Sequence, residues 1–300
     1  MNIFMTGGTG FIGSYIVNDL LQYDHSVTIL ARNPEKVSGF LGNDRIKLVK
    51  GTLKDREAIA AALVGVDAVI HVALGWGDTA VDMLEADTLP SLYIFETAAQ
   101  LGVKNMIYTS SIAAYGEHRD VFTEHTSTLP TDFYGATKAA TENYFLAMAK
   151  KYDIRCNVIR PGYTFGNPVV QGASIYTDTK IRNFVKAAKA NESISLVKDD
   201  GTQFIWAGDL AKLYTAVLHS EHNRELFTGV STEFTAWSEV AQMAVDYVGS
   251  KSEIVLEDKG RDRTKGRNDV SQMEKAFGFK FLANEKMREH VAYLANNPDA

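Results

Sequence analysis

Short apolar runs bounded by turn residues alternate with longer amphipathic stretches through the first half of the chain. That rhythm predicts a parallel sheet with crossover helices. Residues 2–6 read as the first strand, and residues 26–30, 46–49, 68–72, 105–109 and 155–159 as further strands. Between them apolar residues recur at helical spacing, as at Ile12, Ile16, Leu20, Leu21 and Tyr23, and again across residues 56–63 and 89–101. Parallel neighbours require such crossovers. The rhythm breaks after Arg160-Pro161-Gly162: residues 166–176 read as loop, 178–190 as helix, and 233–267 as a mixture of helix and charged segment. The expected fold class is α/β, a doubly wound parallel sheet with a smaller C-terminal lobe.

At 300 residues the chain is long enough for one large α/β domain with an appended lobe. Its charge, 31 − 37 = −6, carries no basic nucleic-acid footprint, so no nucleic acid is expected as partner. A single cysteine excludes an internal disulfide and a Cys-based zinc cluster, and no metal is expected. In its setting Ile154-Arg155-Cys156-Asn157 the cysteine reads as a buried small hydrophobe rather than a nucleophile. The start shows no basic leader or small-residue cleavage site, and no apolar run reaches the roughly 18 residues of a spanning helix. The expectation is a cytoplasmic protein without a membrane partner.

The 23 glycines are an average share, but Gly7, Gly8, Gly10 and Gly13 crowd between the first strand and its helix. Gly7, Gly10 and Gly13 stand at G-x-x-G-x-x-G spacing. A tight turn, a backbone that approaches a pyrophosphate and a helix N-terminus facing an anion all demand this arrangement. After the second strand, where a dinucleotide fold usually places an acid for the ribose 2′-hydroxyl, the chain reads Ala31-Arg32-Asn33. Arg32 would supply a guanidinium for a 2′-phosphate, which favours NADP, with NAD as the alternative.

Tyr134-Gly135-Ala136-Thr137-Lys138 follows Thr131 and Asp132, caps for a helix continuing through Lys150. Four-residue spacing puts Tyr134 and Lys138 on one helix face. An ammonium beside a tyrosine favours the phenolate, which equips Tyr134 to move a proton to or from a carbonyl or alcohol oxygen. Thr109-Ser110-Ser111 lies at the carboxyl end of an earlier strand, the edge where open parallel sheets bind ligands, and a hydroxyl there can position the reacting oxygen.

The glycine turn, the serine turn and Tyr-x-x-x-Lys together resemble the extended short-chain dehydrogenase/reductase superfamily, the NAD(P)-dependent epimerase/dehydratase family, over residues 1 to about 215. Residues 65–73, 102–105, 160–166 and 204–211 carry further stretches typical of it. The resemblance implies a Rossmann-like fold with residues 1–163 binding the dinucleotide, 204–230 returning to that domain, and 164–203 with 231–300 forming the substrate lobe. It implies Ser111, Tyr134 and Lys138 as the catalytic group. It places the cofactor on Gly7, Gly10, Phe11, Ile12, Gly13, Arg32, Leu53, Ala73, Tyr134, Lys138, Pro161, Gly162 and Thr164, and it also implies a homodimer.

Several positions depart from the family pattern. Thr52 stands where the family often has an acid near the adenine, so no adenine contact is assigned there. A helix that often carries Asn and a Gly-Thr pair reads Asp87-Thr88-Leu89-Pro90-Ser91, which puts its ordinary packing and ribose contacts in doubt. Ser111 is followed by Ile112-Ala113-Ala114 rather than the Asp-Glu pair of sugar-nucleotide dehydratases, which argues against water elimination. Thr202-Gln203 replaces an arginine that meets a substrate diphosphate, which argues against a diphosphate substrate. Trp76 is a candidate aromatic wall for substrate, His71 a satisfied core or cofactor-adjacent residue, and the mixed-charge tract 257–267 a solvated loop. These observations favour an NAD(P)-dependent oxidoreductase acting on a small-molecule carbonyl/alcohol pair. An NAD-dependent sugar-nucleotide epimerase is the runner-up, and a dinucleotide-binding protein without catalysis is third.

Overall fold

In the computed structural model, which describes residues 1–116, 120–173 and 179–298, strand β1 (Asn2–Thr6) runs into the glycine turn and helix α1 (Phe11–Leu20). There follow β2 (Ser26–Ala31), β3 (Ile46–Lys50), α2 (Arg56–Ala62), β4 (Ala68–His71), α3 (Ala80–Met83), α4 (Leu89–Gln100) and β5 (Asn105–Thr109). Next come β6 (Val121–Phe122), α5 (Phe133–Tyr152), β7 (Arg155–Pro161), β8 (Thr164–Phe165), α6 (Thr179–Ala190), β9 (Ile194–Val197), β10 (Gly201–Thr202) and β11 (Ile205–Trp206). The chain closes with α7 (Ala207–His219), β12 (Leu226–Gly229), β13 (Thr235–Ala236), α8 (Trp237–Val248), β14 (Ile254–Glu257), β15 (Arg267–Asn268), α9 (Ser271–Phe277) and α10 (Asn284–Asn296).

Seven strands form one parallel sheet in the order β12-β7-β5-β4-β1-β2-β3. The chain moves outward from β1 through β2 to β3 and then returns to lay β4, β5 and β7 on the other side. The order therefore reverses between β1 and β4, where such sheets bind ligands beyond the strand carboxyl ends. The inner strands β1, β4 and β5 read as nearly continuous apolar runs because both faces are covered. One face packs Ile3, Met5, Ile29 and Ile70 against α1 and α7, and the other packs Phe4, Val69, Met106 and Tyr108 against α2, α4 and α5. A third cluster joins α6, α8 and α10 around Phe184, Trp237 and Met287.

Two expectations shift at their edges. The helix expected over residues 89–101 is preceded by α3 and a π-helical turn, Leu84–Thr88. Pro90 at the start of α4 has no N–H to give, and the widened turn before it leads the chain into α4. The loop expected to Tyr176 and the helix start at Asp178 fall partly on residues 174–178, outside the described residues; helix runs over α6 beyond them.

Candidate active site

The glycine turn closes with Gly10 N–H donating to the Gly7 carbonyl at 2.9 Å. Gly7 has φ +73°, and a Cβ there would stand 2.6 Å from the Ala73 nitrogen, so the loops leaving β1 and β4 touch at this glycine. Gly13 is equally constrained, since its Cβ would fall 2.0 Å from the Gly7 oxygen. Gly10 differs: an added Cβ would meet only the Gly7 oxygen, at 3.2 Å. Internal packing thus accounts for Gly7 and Gly13 far better than for Gly10. Gly10 caps α1 with no side-chain cap and no acid in the first turn, which leaves a positive helix end suited to an anion. Phe11 and Ile12 form that first turn, half-buried. The cradle fits a pyrophosphate.

The other expected cofactor residues lie at the carboxyl edge of the same sheet. Arg32 is exposed just after β2 and Leu53 half-buried after β3, on the far side of β1 from the tyrosine helix. Ala73 follows β4, and its N–H donates to Thr6 Oγ1 at 3.3 Å. Pro161 ends β7, and Thr164 Oγ1 donates to the Gly162 carbonyl at 3.0 Å.

Ser111 caps a short 3-10 turn, its Oγ accepting from Ala113 N–H at 3.1 Å, which leaves the hydroxyl proton to donate elsewhere. Asp132 caps α5 by accepting from Gly135 N–H at 2.6 Å. Gly135 is forced by packing, because its Cβ would fall 2.4 Å from the Ala113 oxygen. The tyrosine helix therefore seats its first turn directly on the serine turn, which brings together the elements carrying Ser111 and Tyr134. Lys138 Nζ lies 5.9 Å from the Tyr134 ring centre and 5.3 Å from that of Tyr108. Trp76, 67% exposed, tilts against Tyr134 with ring centres 6.4 Å apart.

Lys138 is buried and pairs with the fully buried Asp87 at 3.3 Å. Burial alone would pull the lysine's pKa down, but the facing Tyr108, Asp87 and Tyr134 outweigh it and hold it above the ordinary value. Sequence reasoning missed this partner; its one signal was the unusual Asp87-Thr88-Leu89-Pro90-Ser91 segment, in which Asp87, Thr88, Pro90 and Ser91 are buried.

His71 is satisfied in the core. Ser91 Oγ donates to the Asp87 carbonyl at 2.6 Å, so it accepts from His71 Nε2–H at 2.8 Å, and His71 Nδ1 accepts from Thr6 Oγ1 at 2.7 Å. Burial, aided by the Lys138 charge, lowers its pKa to about 3 and keeps it neutral. Gln203 is sealed in too: Nε2 donates to the carbonyls of Ser231 (2.9 Å) and Asn268 (3.0 Å), and Oε1 accepts from Asn268 N–H at 2.6 Å. Cys156 is fully buried, and burial pushes its thiol up to about 12. The tract 257–267 contributes exposed pairs such as Arg263–Glu239 at 3.0 Å, while Arg267 donates to the Thr232 carbonyl at 2.9 Å. No cluster of metal-ligating side chains occurs among the described residues.

A switch point between β1 and β4, with a glycine cradle on one side and a tyrosine–lysine helix on the other, is an arrangement of the doubly wound α/β class. The sequence model of the NAD dependent epimerase/dehydratase family matches residues 3–227, and the chain belongs to that family. It is 34% identical over 120 residues to cinnamoyl-CoA reductase 1 of Arabidopsis thaliana, covering 37% of this chain and 34% of that one. It is 29% identical over 182 residues to dTDP-glucose 4,6-dehydratase of Mycobacterium tuberculosis, covering 55% and 54%. These matches span about a third and about half of the relatives' own lengths. UDP-glucose 4-epimerase of Thermotoga maritima, solved with UDP-glucose, has the same fold, with a TM-score of 0.80 at 21% identity over 100% of both chains. No helix among the described residues is long and apolar enough to cross a membrane.

Proposed function

We propose that the protein is an NAD(P)-dependent oxidoreductase that moves hydride between nicotinamide and a carbonyl/alcohol carbon of a small molecule. The observation carrying this reading is Lys138, buried and held charged within one helical turn of Tyr134, on a helix seated on the Ser111 turn. Gly7, Gly10, Phe11, Ile12 and Gly13 would hold the pyrophosphate, Arg32 and Leu53 the adenosine side, and Ala73, Tyr134, Lys138, Pro161, Gly162 and Thr164 the nicotinamide side. When bound, the nicotinamide supplies or accepts the hydride. Tyr134 gives a proton to the oxygen during reduction and takes it back during oxidation, Ser111 donates a hydrogen bond that fixes that oxygen, and Lys138 stabilises the phenolate. Residues 164–203 and 231–300 form the substrate lobe, with Trp76 as an aromatic wall. Exposed Leu89 and Tyr144 on α4 and α5 suit a homodimer.

Arg32, exposed at the end of β2 where an acid would repel phosphate, supports NADP over NAD. Arg32→Ala is expected to weaken NADPH selectively, and equal losses for NADH would remove the phosphate role. Gln203, consumed by Ser231 and Asn268, offers a diphosphate no charge, which supports a substrate without one. The second reading, an NAD-dependent sugar-nucleotide epimerase, draws support from structural neighbours such as the Thermotoga maritima epimerase. Nicotinamide absorbance during incubation with a panel of ketones and aldehydes, and separately with UDP-sugars, separates the two. Stoichiometric oxidation of the reduced cofactor supports net redox chemistry; UDP-sugar isomerisation without net consumption supports the epimerase.

A further inference from the structure

Asp87 has no place in the chemistry above, yet three separate strands of the site meet on it. Its Oδ1 accepts from Gly75 N–H at 2.9 Å, its Oδ2 pairs with Lys138 Nζ at 3.3 Å, and its backbone carbonyl accepts from Ser91 Oγ, the end of the chain through His71 to Thr6. The Gly75 backbone lies directly on the turn that carries it, where an added Cβ would fall 1.8 Å from the Ala86 oxygen, and the Gly77 backbone lies on α3 just before that turn, where one would fall 2.4 Å from the Asp82 carbon. Trp76 is held between those two glycines, beside Tyr134.

The groups facing Lys138 are Asp87 from the π-helical turn, Tyr108 from β5, His71 from β4 and Tyr134 from its own helix. His71 is neutral, and burial raises the Tyr108 pKa and keeps its phenol protonated. The carboxylate is therefore the anion that a buried ammonium requires. A lysine has three donors on a flexible stem, and one contact to a fixed acceptor orients it while leaving two for ligand hydroxyls.

We propose that Asp87 is a positioning residue that acts through Lys138: it fixes the ammonium beside Tyr134 and ties it to the Gly75–Gly77 loop that presents Trp76. The role rests on the dinucleotide reading of the site. Its test is a binding cycle with NADPH and NADH, followed by protein fluorescence, on the wild type, Asp87→Asn, Lys138→Met and the double variant, with thermal unfolding of each without nucleotide. Asparagine keeps the shape and the acceptor for Gly75 but removes the charge. Asp87→Asn should weaken binding about fivefold, a change typical of directly coupled neighbours, and should add no further loss in the Lys138→Met background. Without nucleotide, Asp87→Asn should lower Tm and the double variant should regain most of the loss, because both charges are then gone.

Wild-type binding of Asp87→Asn, or losses that multiply in the double variant, would overturn the role of Asp87 alone. A wild-type protein that binds neither nucleotide would overturn the dinucleotide reading and this role with it. If Asp87→Asn does not fold, the comparison of Lys138→Met with the double variant decides, and weaker binding by the double variant counts against the proposal.

Discussion

Helix α5 carries two buried ion pairs one turn apart, and they are built differently. Glu142 meets Arg160 of β7 in a two-pronged contact, Nε to Oε1 at 2.8 Å and Nη2 to Oε2 at 2.6 Å, and the guanidinium lies 4.3 Å over the Tyr115 ring. Both fork bonds are made, in a geometry that suits a fixed cross-link between helix and sheet. Lys138 meets Asp87 through a single contact at 3.3 Å, with its ammonium 5.9 Å from the Tyr134 ring centre. The comparison teaches that burial and charge alone do not mark a functional lysine: the Arg160 Nη1 is left without a partner too, and what sets Lys138 apart is its place beside the Tyr134 ring.

That contrast can be broken most severely at Tyr134. Tyr134→Phe should lower turnover at least about a hundredfold with nucleotide binding preserved, as read by steady-state kinetics and a binding titration; near-normal turnover would remove the tyrosine from the chemistry. Glu142→Gln strikes the other pair. It should cost about 3–5 kcal/mol of stability in denaturant unfolding, because the arginine stays buried without its anion, while nucleotide affinity changes little.

The glycines offer a milder version of the same division. Gly13→Ala should destabilise the fold by about 1–3 kcal/mol through overpacking. Gly10→Ala should leave Tm nearly unchanged yet weaken nucleotide binding about tenfold, the scale of one displaced polar contact. Equal effects on Tm would mean that internal packing accounts for both.

The smallest effect concerns acid. His71 has its pKa lowered to about 3 in the folded protein, against about 6.5 when unfolded. Between those values the unfolded chain binds a proton that the native one does not, so stability should fall as pH drops through that window. His71→Gln should flatten this part of a Tm-against-pH curve, and an unchanged slope would count against a buried neutral imidazole.

The sheet was legible because its strands are short apolar runs between turn residues, and β1 and β5 lie where those runs predict. The glycine turn and Tyr134-x-x-x-Lys138 were legible for a similar reason: each motif is local, and its spacing alone states what its backbone does. Asp87 was not. Its partner is 51 positions away, and a π-helical turn brings them together just before residue 89, where the apolar spacing had the helix begin. The closed environment of Gln203 was hidden in the same way, since Ser231 and Asn268 reach it only through the folded C-terminal segments.

The central claim is net hydride transfer at the Tyr134–Lys138 edge. It is tested most directly by incubating the wild-type protein with reduced nicotinamide dinucleotide carrying deuterium at both positions of carbon 4 and the best carbonyl compound of the panel. The account predicts one deuterium on the carbinol carbon of the released alcohol for each cofactor oxidised. An alcohol without label, or a labelled cofactor that survives unchanged while a UDP-sugar isomerises, would contradict it.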